Sequence, residues 1–277
     1  MVKLANGTHT LRSLANGEKF HPVIGPVAEA EALYLRQLHL VERMRHHEGE
    51  FVIWDVGLGA AANVLTVLQA TRGMPCPIRI LSFDCTLEPL RFAMSHREEM
   101  GYFEGYETGL DELMARGSCR FTKDTGPVEW ELHLADFPAL LAQREAAQFA
   151  KPHAILFDAY SPAKNPAMWT EPLFTRLFQL LDPGRACLLP TYSRSTMLRT
   201  TLLLAGFFVG RGHATGEKEE TTIAANRREL VTELLDREWL RRARRSTSAE
   251  PLREASYRQA PLSRETWERL QQHPQFK

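Results

Sequence analysis

Four short apolar runs in this chain stop at an aspartate, and each is followed by a segment with helical spacing. Phe51–Trp54 leads through Asp55-Val-Gly-Leu-Gly59 into a helical Ala61–Thr71, the pattern of strand, glycine turn and helix. Ile78–Phe83 stops at Asp84 before Glu88–Glu99, Val128–Leu134 stops at Asp136 before Pro138–Phe149, and His153–Phe157 stops at Asp158. Short strands alternating with helices leave few folds open, because parallel strands need crossover helices that then cover both faces of the sheet. The helices Thr170–Leu181 and Ser195–Leu204 and the strands Ala186–Leu189, Phe207–Val209 and Thr221–Ala225 continue the series. Arg120–Thr122 and Val128–Leu134 flank Asp124-Thr-Gly-Pro127 as a hairpin, whereas Gly101–Gly117 is less regular. The expected architecture is a doubly wound α/β domain with a mostly parallel, seven-stranded sheet.

The two ends of the chain depart from this rhythm. Thr8–Val23 alternates around Asn16-Gly17, the chemistry of a tight hairpin turn, and Pro26 opens a helical Val27–Met44. Beyond Asn226 the chain is charged and helical, then loses its apolar period near Ser246–Pro251. The expected division is a domain over 1–226, with the hairpin and helix in 1–48, and a charged extension over 227–277.

Composition narrows the function. With 277 residues, 44% hydrophobic and 25% charged, the chain can bury a sizeable core in one large domain. Its longest apolar runs, such as Leu202–Val209, fall far short of the roughly 20 residues of a membrane span, and no basic-then-apolar leader opens it. A soluble, cytoplasmic protein is expected. Cys76, Cys85, Cys119 and Cys187 form no C-x-x-C pair, and the histidines form no H-E-x-x-H, so neither a disulfide framework nor a metal site is expected. Lys plus Arg equals Asp plus Glu at 34 each, so contact with a polyanion must be local. The most basic stretch is Arg237–Arg245, with five arginines in nine residues; a solvated helix face accounts for it equally well.

In an open parallel sheet the ligand crevice lies outside the carboxyl ends of the strands, which directs attention to Asp55, Asp84, Asp136 and Asp158. A single aspartate there often caps a helix, but four in register suggest a shared cleft. Gly57 and Gly59 allow a sharp turn and close approach to a ligand. Asp84 is placed to accept from two ribose hydroxyls, Asp136 from an adenine amine, and Asp158 faces the reacting end. The glycine loop departs from G-x-G-x-x-G, because Ala62 stands where the last glycine would be, and no Walker lysine follows. That favours an adenosine ligand without phosphates over a pyrophosphate cofactor such as NAD.

The run Phe157-Asp-Ala-Tyr-Ser-Pro-Ala-Lys-Asn-Pro-Ala-Met-Trp169 resembles a specific family. It is similar to the bacterial tRNA methyltransferases that complete 5-methylaminomethyl-uridine at the wobble position, the MnmC N-terminal domain and its free-standing MnmD relatives. Asn6-Gly-Thr-His-Thr-Leu11, the stretch with His21, Gly25 and Glu29, Asp55-Val-Gly-Leu-Gly59 with Asn63, Ser82-Phe-Asp84, Gly216-Glu-Lys218 and Thr222-Ile-Ala224 agree with the family pattern in order. The likeness covers roughly Asn6–Ala225. Pro22, Ile24 and Ala30 depart from it, Ala60 and Ala61 replace a Thr-Gly pair, and Glu219-Glu220 stands where basic residues are frequent.

The resemblance implies a Rossmann-like class I methyltransferase fold using S-adenosyl-L-methionine, to which the sequence pattern adds an N-terminal β-hairpin appendage and a helical C-terminal extension. It implies a cofactor site of Asp55, Gly57, Gly59, Asn63, Asp84, Asp136 and Asp158, with Asp158 also the catalytic group that handles the proton of a substrate amine. The implied partner is a tRNA anticodon stem-loop carrying 5-aminomethyl-uridine or its 2-thio form. Tyr160 and Trp169 are the candidates to stack on the uracil, and Lys164, Asn165 and Lys218 those to meet phosphate or ribose. The fused relatives' flavin oxidase domain has no room in 277 residues, so only the methylation step is implied. Aminopropyl transfer to a small amine and a non-catalytic nucleotide- or RNA-binding protein on the same fold stay open as alternatives.

Overall fold

Along the central strand every residue is buried, and successive side chains enter different cores. The computed structural model describes all residues except Pro22, Glu217 and Lys218. Two short strands, β1 (Val2–Lys3) and β2 (His9–Thr10), pair antiparallel at the N-terminus. The main sheet holds β3 (Phe51–Val56), β4 (Ile78–Asp84), β5 (Ser118–Lys123), β6 (Gly126–Leu134), β7 (Ala154–Phe157), β8 (Leu188–Thr191), β9 (Phe208–Gly212) and β10 (Thr221–Ala225). Their order is β5-β6-β4-β3-β7-β8-β10-β9. From β6 to β8 the neighbours run parallel; β5 and β10 pair antiparallel with theirs.

Alternation along β3 produces the two layers. Phe51 and Ile53 join Leu65, Leu68 and Leu90 on one face, while Val52, Trp54 and Val56 join Phe157, Phe174 and Leu177 on the other. A strand buried on both faces belongs in the middle of a parallel sheet. From β3 the chain crosses to β4 on one side and later returns to β7 on the other. The carboxyl ends of β3 and β7 therefore flank a topological switch point, where such sheets open a crevice.

The sheet has eight strands rather than seven. Gly117, at φ 75°, ends the helix Glu107–Arg116 and lets β5 start at once as a full partner of β6. That helix lies in the stretch read as irregular from sequence. Gly109 weakens helical propensity there, but a Cβ at this position would stand 3.3 Å from Phe121, so its absence lets the helix lie close to the sheet. The helix expected over Val27–Met44 is also interrupted: an α-helical Pro26–Ala30 passes into a π-helical Glu31–Arg36, and His39 at φ 48° separates both from Leu40–Arg45. The segment expected as Pro138–Phe149 is helical over Phe137–Ala142 and 3-10 over Arg144–Gln148. Around Asn16-Gly17 the turn forms, but among the described residues only one bridge, Arg12 to Lys19, accompanies it.

Residues 227–277 pack into the core of the second face. Trp239, Leu240, Ala243, Leu252, Leu270 and Phe276 are buried there with Trp54 and Phe207. The Gln275 amide donates to the carbonyls of Val209 and Leu235, and its oxygen accepts from Val209 N, all at 2.8 Å. Glu171, itself buried, accepts from Arg253 and, at 2.7 Å, from Arg269. Among the described residues no helix is long and apolar enough to cross a membrane.

Candidate active site

A cleft of about 1100 Å³ opens at the carboxyl ends of β3, β4, β6 and β7, and residues 11–21 lie along it. Its floor depends on one glycine. Gly57 follows β3 with φ 95°, and a Cβ there would lie 2.8 Å from the Asp158 carbonyl oxygen after β7. The two strand ends approach this closely only because that atom is missing. A Cβ on Gly59 would meet the Phe20 ring at 3.1 Å. Asp84 joins this loop to β4: its Oδ2 accepts from Gly59 N at 2.9 Å, and its Oδ1 from Cys85 N and Thr86 N at 2.7 and 3.2 Å. A carboxylate has about four acceptor positions, so with three taken Asp84 keeps capacity for about one ligand hydroxyl.

Asp158 is clamped through a single oxygen. Its Oδ2 accepts from Asn63 Nδ2 at 2.8 Å and from His21 Nε2 at 3.3 Å, while Oδ1 has no partner among the described residues. Asn63 is buried, and its own Oδ1 has no partner among the described residues, which leaves a buried acceptor beside the cleft. Burial alone pushes the His21 pKa down, but the hydrogen bond and charge of Asp158 and the charge of Glu29 raise it above the ordinary value. Tyr192 lines the same region and donates to the Ala159 carbonyl at 3.0 Å. Among the described residues no group of three or more His, Cys, Asp or Glu side chains is placed to hold a metal ion.

The structure brings Gly57, Gly59, Asn63, Asp84, Asp136, Asp158, Tyr160 and Asn165 to the cleft. Asp136 sits on its rim with one oxygen capping the helix Phe137–Ala142 through Ala139 N, at 2.9 Å. Tyr160 stands edge-on to Phe20 at 5.6 Å. Three expected residues lie elsewhere. Asp55 is inside the strand rather than at its end, because β3 continues to Val56; it faces Ser82, whose hydroxyl donates to it at 2.7 Å. Burial raises the Asp55 pKa to about 7. Trp169 is wholly buried, its indole N–H donating to the Tyr160 carbonyl at 2.7 Å, so its ring supports the loop from below and is not open to stacking. Lys164 is exposed in the turn after Ser161, away from the cleft lining, and Lys218 lies outside the described residues.

Sequence reasoning gave no role to His21, Glu29, Glu18 or Tyr192, all of which line the cleft. Glu18 accepts from both the hydroxyl and, at 3.1 Å, the amide of Ser161, tying residues 11–21 to the loop after β7. His21 and Glu29 had a signal, since both belong to the stretch that resembles the family pattern.

Residues 110–227 match a family model described as S-adenosyl-L-methionine-dependent methyltransferase. A parallel sheet with a cleft at its switch point, joined to that match, defines the class: a Rossmann-like, S-adenosyl-L-methionine-dependent methyltransferase domain. The tRNA 5-methylaminomethyl-2-thiouridine biosynthesis bifunctional protein MnmC of Azoarcus sp. (strain BH72) is 31% identical over 218 residues, 75% of this chain and 33% of that protein. Its namesake in Aeromonas hydrophila is 28% identical over 204 residues, 70% of this chain and 30% of that protein. In fold, the crystal structure of MNMC2 from Aquifex aeolicus matches with a TM-score of 0.71 at 23% identity, covering 98% of this chain and 82% of the other. The chain is similar to these MnmC proteins over 70–75% of its own length, and it spans about a third of the length of the curated relatives it matches.

Proposed function

We propose that the chain methylates the amine of 5-aminomethyl-uridine, or its 2-thio form, at the wobble position of a tRNA anticodon, acting in the cytoplasm. The observation that carries this reading is the Asp158 carboxylate, clamped at Oδ2 and open at Oδ1 within the cleft. The names of the curated relatives point to the same chemistry.

The residues fit S-adenosyl-L-methionine. The close approach at Gly57 and the unpartnered Asn63 Oδ1 suit a ligand pressed against the β3 loop. Asp84 takes the ribose, Asp136 the adenine side, and Gly57, Gly59 and Asn63 the amino-acid end. The cofactor supplies an electrophilic methyl: a nitrogen–carbon bond forms as the carbon–sulfur bond breaks, sulfur keeps the electron pair, and the positive charge passes to nitrogen. Asp158 Oδ1 accepts an N–H of the amine, orients its lone pair, and stabilises the charge that develops there. Tyr160 and Asn165 hold the base and its ribose from the loop above. In this reading 1–226 carries the chemistry and 227–277 braces the edge of the sheet.

The test is incubation with labelled S-adenosyl-L-methionine and tRNA bearing 5-aminomethyl-uridine. Label in the tRNA base is the expected result. Label in a small amine from the decarboxylated cofactor, or binding without turnover, overturns it.

A further inference from the structure

Both donors that reach Asp158 land on the same oxygen, and they come from unrelated parts of the chain. Asn63 projects from the helix after β3, which is anchored in the core. His21 lies 137 residues away in sequence, at the end of the segment that runs along the cleft, and is 7% exposed. One donor alone restrains a carboxylate weakly, because the group can still turn about its Cβ–Cγ bond. Two donors converging on Oδ2 fix the plane and leave Oδ1 in one direction.

We propose that His21 is a positioning residue for methyl transfer, locking the Asp158 carboxylate so that Oδ1 meets the amine nitrogen. This rests on the amine reading above. The charges acting on His21 are those of Asp158 after β7 and Glu29 on the first helix. When protonated, the imidazole offsets part of the Asp158 charge. Since His21 belongs to the N-terminal segment, displacing that segment also frees Asp158, so the carboxylate is set only when the cleft is covered.

Steady-state kinetics on the full chain separate positioning from folding. His21→Ala is expected to lower kcat about 10- to 100-fold, with the KM for tRNA and the affinity for S-adenosyl-L-methionine changed less than about threefold. His21→Gln, which keeps a donor at similar reach, is expected to restore most of that loss. Wild-type kcat in His21→Ala, or equal losses in both variants, overturns the proposal. A second readout needs no turnover. In ring-labelled protein the His21 resonance is expected to titrate above 6.5, and below 6.5 in Asp158→Asn, where burial acts without the carboxylate charge. An unchanged midpoint overturns the proposal. Failure of the wild type to methylate tRNA counts against the function proposed above, and the titration still decides whether Asp158 and His21 are coupled.

Discussion

The two walls of the cleft are built differently. The sheet wall rests on β3, β4 and β7, whose apolar side chains are buried almost completely and whose backbones are bonded on both sides. The opposite wall, residues 11–21, has one backbone bridge, an almost fully exposed Leu14 at its tip, and polar links to the loop after β7. A segment with few buried contacts opens locally at much lower free energy than a core strand. In the function proposed above, the sheet is the fixed side that takes the cofactor, and the segment is the side that substrate displaces and that completes the Asp158 environment.

The largest effect belongs to the sheet wall. Gly57→Val forces a side chain toward the Asp158 carbonyl at a backbone angle β-branched residues avoid. Titration calorimetry and kinetics are expected to show loss of cofactor binding and kcat/KM reduced by about 100-fold or more; near-normal binding means this wall yields.

Acid separates the sheet, at the amino end of β7 away from the cleft, from the segment by sign. The His153 pKa is lowered to about 3 by burial, with Arg185, His47 and Arg43 adding to it, and its Nδ1 accepts from Val52 N at 2.9 Å. A depressed folded value means that stability present above the unfolded pKa of about 6.5 is lost as pH falls from there toward 3. The raised His21 value acts oppositely: its contribution is complete below about 6.5 and lost as pH rises through the folded value. Against His153→Asn, whose amide oxygen can accept from Val52 N without titrating, calorimetry should show the wild type losing about 5 °C more of Tm between pH 7 and 4.5, the raised Asp55 pKa acting the opposite way in both proteins. Hydrogen exchange should show residues 11–21 more protected at pH 6 than at pH 9, once corrected for intrinsic rates; parallel trends erase the contrast.

Smaller effects test the segment and the loop it covers. Glu18→Gln weakens the link to Ser161 and is expected to raise the KM for tRNA about 3- to 10-fold, part of a charged hydrogen bond at a half-exposed site, with cofactor affinity unchanged. Equal loss of cofactor affinity means that the two walls do not act separately. Ala61 takes φ 62° where the family pattern has glycine, a strain of about 1 kcal/mol or more. Ala61→Gly is expected to raise Tm by about 2 °C in thermal denaturation, less than the full strain because glycine gains freedom on unfolding. A lower Tm removes the claim of strain.

Much of the sheet wall was legible because it rests on pattern. Apolar runs bounded by Asp and Gly marked β3, β4, β6 and β7, and three of the four aspartates do line the cleft. Asp55 differs because its strand runs one residue further, which puts a strand-end residue inside the ladder. Trp169 differs because a motif identifies a residue without its orientation, and the single 3-10 turn Pro166–Trp169 points the indole inward. The segment wall was poorly legible. Its contacts with Tyr160, Ser161 and Asp158, made by Phe20, Glu18 and His21, join residues more than a hundred positions apart, and no local period announces them. The buried stripe of Trp239, Leu240 and Ala243 was masked by the arginines around it.

The most direct measurement is single-turnover methyl transfer by Asp158→Ala beside its equilibrium affinity for S-adenosyl-L-methionine. If the carboxylate acts on the amine, affinity stays within about threefold while transfer slows by about 100-fold or more. Transfer at the wild-type rate by a folded Asp158→Ala protein contradicts the account.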